Sequence, residues 1–113
     1  MRYKEIEKNK EINAYLTKGN ANLGQLGFTD HSQAHCVQVA HQAGKILKRF
    51  GYSEHEIELA KIAGYMHDIG NAINRTHHAE YGALLANELL KDTDMSLEDR
   101  ITVVSAIGNH DES

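Results

Sequence analysis

Apolar residues recur three and four positions apart along most of the chain, and strand-type alternation is missing, so the pattern predicts a nearly all-helical protein. From Arg2 to about Lys18, Tyr3, Ile6, Ile12, Tyr15 and Leu16 form an imperfect stripe among many charges, which reads as a first helix lying on the surface. Gly19, Gly24 and Gly27 then predict a break, with Leu23, Leu26 and Phe28 plugging the core from a loop or short turn. Thr29 or Asp30 suits the N-cap of a helix running to Phe50 and ending at Gly51, with Cys36, Val39, Ala40, Ala43, Leu47 and Phe50 as its buried face. Ser53 and Glu56 make a capping-box pair, so the next helix starts there and carries Ile57, Ala60, Ala63 and Gly64 toward a stop near Gly70. Asn71 to Thr76 shows no regular pattern. A helix follows from His77 or His78, with Tyr81, Leu84, Leu85 and Leu89 as its apolar side. Ser96 and Asp99 mark one more helix start, and Ile101, Val104 and Ile107 fill the core before the chain frays through Gly108 and Asn109.

The 113 residues suit a single domain, 1–28 supplying the first helix and glycine-punctuated segment and 29–113 the core. A net charge of -4 with no basic stripe argues against a nucleic-acid duplex as partner, though not against a single nucleotide. The one cysteine, Cys36, excludes an intramolecular disulfide framework. No apolar run reaches the length of a membrane span or secretory signal, so the expected setting is cytoplasmic, with no membrane partner.

Eight histidines are the feature that changes this picture. His67 continues the inward face through Gly64, Ala63 and Ala60, and Asp68 follows it directly, where an ionised carboxylate near an apolar interior needs a partner or a cation. His31 and His35 lie four apart and can share a face; His35 leads into the Val39 stripe, while both an inward and a solvent-facing placement fit His31. His78 heads the Gly82 and Leu85 stripe, whereas His77 is turned roughly 100° away. His110 and Asp111 make a second His-Asp pair at a helix end. Helices that each offer one or two inward ligands can build a metal site in a bundle core. Imidazole nitrogens with carboxylate oxygens suit one or two divalent transition ions, namely iron, manganese, nickel, cobalt or zinc, rather than calcium.

On these residues the sequence resembles the HD superfamily of metal-dependent phosphohydrolases, over roughly Asp30 to Asp111. His35 is similar to the family's first ligand histidine, and Met66-His67-Asp68-Ile69-Gly70 matches its defining motif. His78-Ala79-Glu80-Tyr81-Gly82 resembles the His-x-x-x-Gly segment of the binuclear branches, and Asn109-His110-Asp111-Glu112 resembles the segment that supplies their next ligands. Asn71 stands where the cyclic-dinucleotide branch usually has lysine, which leaves Arg75 or Lys45 to supply a phosphate-binding cation, and the GYP signature of that branch is absent.

The resemblance implies an all-α HD-like bundle of five or six helices, here ending before a C-terminal helix that carries the family's last aspartate. Either the chain is a fragment, or Asp111 or a neighbouring subunit substitutes for that ligand, and the uncovered apolar side implies a homo-oligomer. The ligand set it implies is His35, His67 and Asp68 for one ion, and Asp68, His78, His110 and Asp111 for a second. The implied activity is hydrolysis of a nucleotide or other small phosphate ester by a metal-activated hydroxide, with Asp68 as bridge and Arg75 on a phosphate oxygen. Two further readings fit the same residues: a non-catalytic module that keeps a metal for stability or ligand sensing, and a di-iron oxygenase-like protein on the same scaffold.

Overall fold

A computed structural model describes residues 1–27 and 33–110. Among them six α-helices and one short 3-10 turn occur and no strand: α1 (Tyr3–Glu7), α2 (Lys10–Gln25), α3 (Gln33–Arg49), α4 (Glu54–Met66), the turn Ile69–Ala72, α5 (His78–Lys91) and α6 (Leu97–Gly108). The expected Thr29 or Asp30 cap, Phe28, His31 and Asp111 lie outside the described residues.

Helix α4 is the centre of the bundle. The Ser53 side chain accepts from the Glu56 amide while Glu56 reaches back to the Ser53 amide, so the predicted capping box starts it. Ile57, Leu59, Ile62, Tyr65 and Met66 are all buried, on more sides than a surface helix would use, because α1, α3 and α6 pack around it. Each such large apolar side chain contributes about 1.5–3 kcal/mol when fully buried. Burial pushes the pKa of the Tyr65 hydroxyl up, so it stays protonated and donates to Asn13 Oδ1 at 2.6 Å while accepting from Gln33 Nε2 at 2.9 Å. That network ties α2 and α3 to the C-terminal end of α4. At the outer end, His55 is exposed as expected and bonds Asp99 in the first turn of α6 at 2.9 Å.

The first half departs from the sequence-based expectation. Instead of one surface helix there are two, since the Asn9 side chain accepts from the Ile12 amide and starts α2 afresh. Neither lies only on the surface: Tyr3, Ile6 and Ile12 are core residues, and only Tyr15 of the predicted stripe is exposed. Gly19 and Gly24 do not break the chain; α2 runs through both and ends before Gly27, whose φ is 84°. The cost of a helical glycine, about 1 kcal/mol, is offset at Gly19 by close packing against Asn71 and Ala72 of the 3-10 turn. One turn on, Asn22 Nδ2 donates to the Asn71 carbonyl at 3.0 Å.

Four large residues expected in the core are outside it, Leu26 at the end of α2 being the first, at 62 % exposed. Phe50 is 73 % exposed beside the left-handed turn at Gly51, and Leu84 and Ile101 also face outward. In α5 and α6 the closest contacts fall to smaller residues: Ala79, Gly82 and Ala86 are buried in α5, and Val103 and Ile107 in α6. Small side chains let helix axes approach, and the larger ones beside them are displaced toward solvent.

The tightest approach joins the 3-10 turn to α5. A Cβ on Gly70 would overlap the His78 carbonyl oxygen and stand 2.6 Å from the Gly82 amide nitrogen, both of them backbone atoms. Gly70→Ala should therefore destabilise the fold by about 3 kcal/mol, the upper range for overpacking. Gly24→Ala, with nothing within 4 Å of the added carbon, should raise stability by roughly 0.5 kcal/mol. Urea unfolding of the two variants beside the wild type checks both signs.

Candidate metal centre

Four elements converge on one cavity of about 620 Å³, whose walls include His35, His67, Asp68, Arg75, His78 and His110. His35 comes from the first turns of α3 and reaches the centre because α3 and α4 cross closely; a Cβ on Gly64 would lie 3.2 Å from the Ala40 Cα and the Val39 carbonyl oxygen. The His35 and His67 rings stand 5.8 Å apart, centroid to centroid. His67 is the C-cap of α4 rather than part of a helix running on to Gly70, because at Asp68 (φ -101°, ψ 12°) the backbone tightens into the 3-10 turn. His78 opens α5 and is 8 % exposed. His77 precedes it in the left-handed region (φ 59°), exposed and facing Glu80. His110 follows the end of α6, with its ring 5.1 Å from that of His78 and 5.2 Å from that of His67.

The ring orientations share one device. His67 Nδ1 lies 2.7 Å from the Gly64 carbonyl, His78 Nδ1 3.2 Å from the Arg75 carbonyl, and His110 Nδ1 2.6 Å from the Ile107 carbonyl. A carbonyl oxygen only accepts, so each Nδ1 carries a proton and donates, and each ring turns its Nε2 inward. Those nitrogens face one another and the Asp68 carboxylate. His78 Nε2 and His110 Nε2 are 3.2 Å apart. His67 Nε2 is 3.0 Å from Asp68 Oδ2, while His78 Nε2 and His110 Nε2 lie 3.4 and 3.6 Å from Asp68 Oδ1.

The carboxylate of Asp68 thus divides its two oxygens between two groups. His35, His67 and Asp68 form one and Asp68, His78 and His110 the other, with the ligand atoms of each within 4.8 Å of one another. Imidazole nitrogens and carboxylate oxygens that converge in their ligating form repel one another, and the attraction of each to a cation between them would outweigh that repulsion. The donor set therefore fits a metal ion, and imidazole plus carboxylate without thiolate fits the first-row divalent ions. Cys36, next to His35 in the chain, is buried in the apolar core.

Of the two cations proposed to face a phosphate, Arg75 lines the cavity, while Lys45 is exposed on α3 and is not part of its wall. Ala43, Ala60 and Ala106 complete the apolar wall. The signal for them in the sequence was the run of small residues at helical spacing around Ala60, Ala63 and Gly64. Asn71 is 2 % exposed; its side chain bonds the Asp68 carbonyl and Arg75, a role that the pattern of the link did not reveal.

The fold and this centre define a class: an all-α bundle in which a His-Asp pair at a helix end is surrounded by further histidines from separate helices. Residues 33–113 match the family described as HD domain, and the chain belongs to that family, one of metal-dependent phosphohydrolases. It is 32 % identical over 107 residues to the uncharacterised protein MJ1020 of Methanocaldococcus jannaschii, covering 81 % of this chain and 41 % of that protein. It is also 33 % identical over 95 residues to ribonuclease Y 1 of Pediococcus pentosaceus and 34 % identical over 95 residues to ribonuclease Y of Enterococcus faecalis. Both of those alignments cover 78 % of this chain and 16 % of the relative, so the chain spans well under half the length of these relatives. No solved structure matches. Among the described residues no helix is long and apolar enough to cross a membrane.

The contrast between neighbours at the head of α5 makes the centre testable. His78→Ala and His67→Ala should each weaken Mn²⁺ binding by at least about tenfold, since even partners one layer outside a metal are worth that much. His77→Ala should leave it unchanged. Metal analysis with calorimetric titration decides the point, and equal losses in His77→Ala and His78→Ala would contradict the inward assignment of His78.

Proposed function

We propose that this domain is a phosphohydrolase that cleaves a nucleotide or another small phosphate ester, monoester or diester, at the centre around Asp68. The observation that supports it is the division of one carboxylate between two histidine groups at the base of a cavity that also holds a guanidinium. The ribonuclease Y relatives are, by name, enzymes that cut a phosphodiester backbone, which agrees with this chemistry.

In this reading His35 and His67 with Asp68 would hold one divalent ion, and His78 and His110 with Asp68 the other. When bound, such ions acidify water and stabilise charge on phosphoryl oxygens. The chain supplies the rest. Hydrolysis adds the oxygen of water to phosphorus and breaks the bond to the leaving alcohol, so negative charge grows on the non-bridging oxygens. Arg75 meets one of those oxygens with a guanidinium, which is always charged and presents its donors as a planar fork. The three Nδ1-to-carbonyl bonds keep the Nε2 atoms aimed before substrate arrives, so little reorganisation remains for the reaction itself. The cavity is in the size range of small-molecule sites, and its alanine walls leave room for the alcohol portion of an ester. An overall charge of -4 disfavours a long polyanionic duplex.

Mn²⁺-loaded protein should hydrolyse bis-p-nitrophenyl phosphate or p-nitrophenyl phosphate. Asp68→Ala should lower the rate by at least about a hundredfold, equivalent to about 2.7 kcal/mol of transition-state stabilisation. Arg75→Gln should lower kcat/KM by roughly tenfold to a hundredfold with metal content unchanged. A fully metallated protein with no turnover of either ester would instead support a metal-holding sensing or interaction module, and an iron-oxo absorption band from iron-loaded protein would support oxygen chemistry.

A further inference from the structure

We infer that Asn71 is a positioning residue that sets the guanidinium of Arg75 against the metal cavity and couples its place to that of Asp68. The inference rests on the reading of Arg75 as the phosphate-facing cation. Asn71 is buried to 2 % exposure in the 3-10 turn, three residues after Asp68 and four before Arg75. Its Nδ2 donates to the Asp68 carbonyl at 3.0 Å, and its Oδ1 accepts from Arg75 Nη1 at 3.4 Å. These two partners fix the amide in one orientation, since a carbonyl can only accept and a guanidinium can only donate.

Neither of the two replacements closest to asparagine in size satisfies both contacts. Aspartate would keep an acceptor for Arg75 but would set a carboxylate oxygen against the Asp68 carbonyl, and leucine would satisfy neither. A buried amide is costly unless bonded, so its presence here is accounted for by the two groups it joins. The turn is in turn clamped from outside. Asn22 of α2 donates to the Asn71 carbonyl at 3.0 Å, and Gly19 packs so closely that an added Cβ would lie 3.1 Å from the Ala72 nitrogen. The turn that presents Asn71 to Arg75 is therefore held by a distant helix. Arg75 itself lines both the metal cavity and a neighbouring pocket next to Leu26 and Ile73, so its direction has to be chosen, and the Asn71 contact biases that choice.

The test uses Mn²⁺-loaded protein with inorganic phosphate as probe, titrated by calorimetry, beside metal analysis and ester kinetics. Asn71→Ala should keep its metal, bind phosphate about tenfold more weakly and raise KM more than it lowers kcat. Arg75→Gln should do the same, and the double variant should be no worse than Arg75→Gln alone, because Asn71 acts through that side chain. Asn71→Asp, nearly isosteric, should lose phosphate affinity as well, since its carboxylate neutralises the guanidinium. Asn22→Ala, which removes a bond to the backbone of the turn but leaves the Asn71 side chain in place, should lose less phosphate affinity than Asn71→Ala. Additive losses in the double variant, loss of metal in Asn71→Ala, or an equal phosphate defect in Asn22→Ala would overturn the assignment. Absence of ester turnover by the wild type would defeat the phosphohydrolase reading while leaving the Arg75-dependent phosphate affinity to decide the role of Asn71.

Discussion

The bundle depends on a backbone-to-backbone contact that only glycine permits. Asp68 sits on a turn, and a turn holds a carboxylate in place only if something rigid presses on it. Here the first turn of α5 does so, with the His78 carbonyl and the Gly82 amide packed onto Gly70 at distances that leave no space for a side chain. The contact brings His78 within 3.4 Å of Asp68, although the link between them has little regular structure. Ile107 of α6 packs on Gly82 in the same place, so the position of His110 is tied to the same contact.

On this frame the histidines are oriented by means that cost the fold little. The last carbonyls of a helix lack partners within it, and His67 and His110 each use one of them, on Gly64 and Ile107, as the acceptor for Nδ1. The same geometry directs the negative ends of two helix dipoles, those of α4 and α6, toward the Asp68 centre, which favours a cation there. His78 lies at the opposite, N-terminal end of its helix and takes its acceptor from Arg75 in the preceding link. The residue that carries the guanidinium thus also orients a histidine through its backbone.

The polar layer behind the centre links it to the first third of the chain. Asn22 and Gly19 of α2 bear on the turn, Asn71 passes that constraint to Asp68 and Arg75, and Asn13 and Gln33 hold Tyr65 one turn before the His-Asp pair. These contacts explain why α2 continues through Gly19: the helix is stabilised by what it touches, and intrinsic propensity is too weak a term to oppose that.

By itself the sequence determined the helical class, the capping box at Ser53, the start of α6 at Ser96, the end of α3 before Gly51, and the inward phase of His78 against His77. Each of these depends on chemistry within a few residues, where a cap, a turn or the 3.6-residue period sets the outcome. Tertiary structure decided the rest. It selected Ala79, Gly82 and Val103 over Leu84 and Ile101 for the interior, because close helix approach rewards small residues and a hydropathy pattern rewards large ones. It carried α2 through two glycines. It also gave Asn71 a purpose that its place in a patternless link could not show, since its partners meet it only once the turn and Arg75 are folded around it. The candidate ligands were legible because histidine is costly to bury without reason. Their partition into two groups about Asp68 was implied by the family resemblance alone; the distances between helices that produce it are encoded in no local pattern.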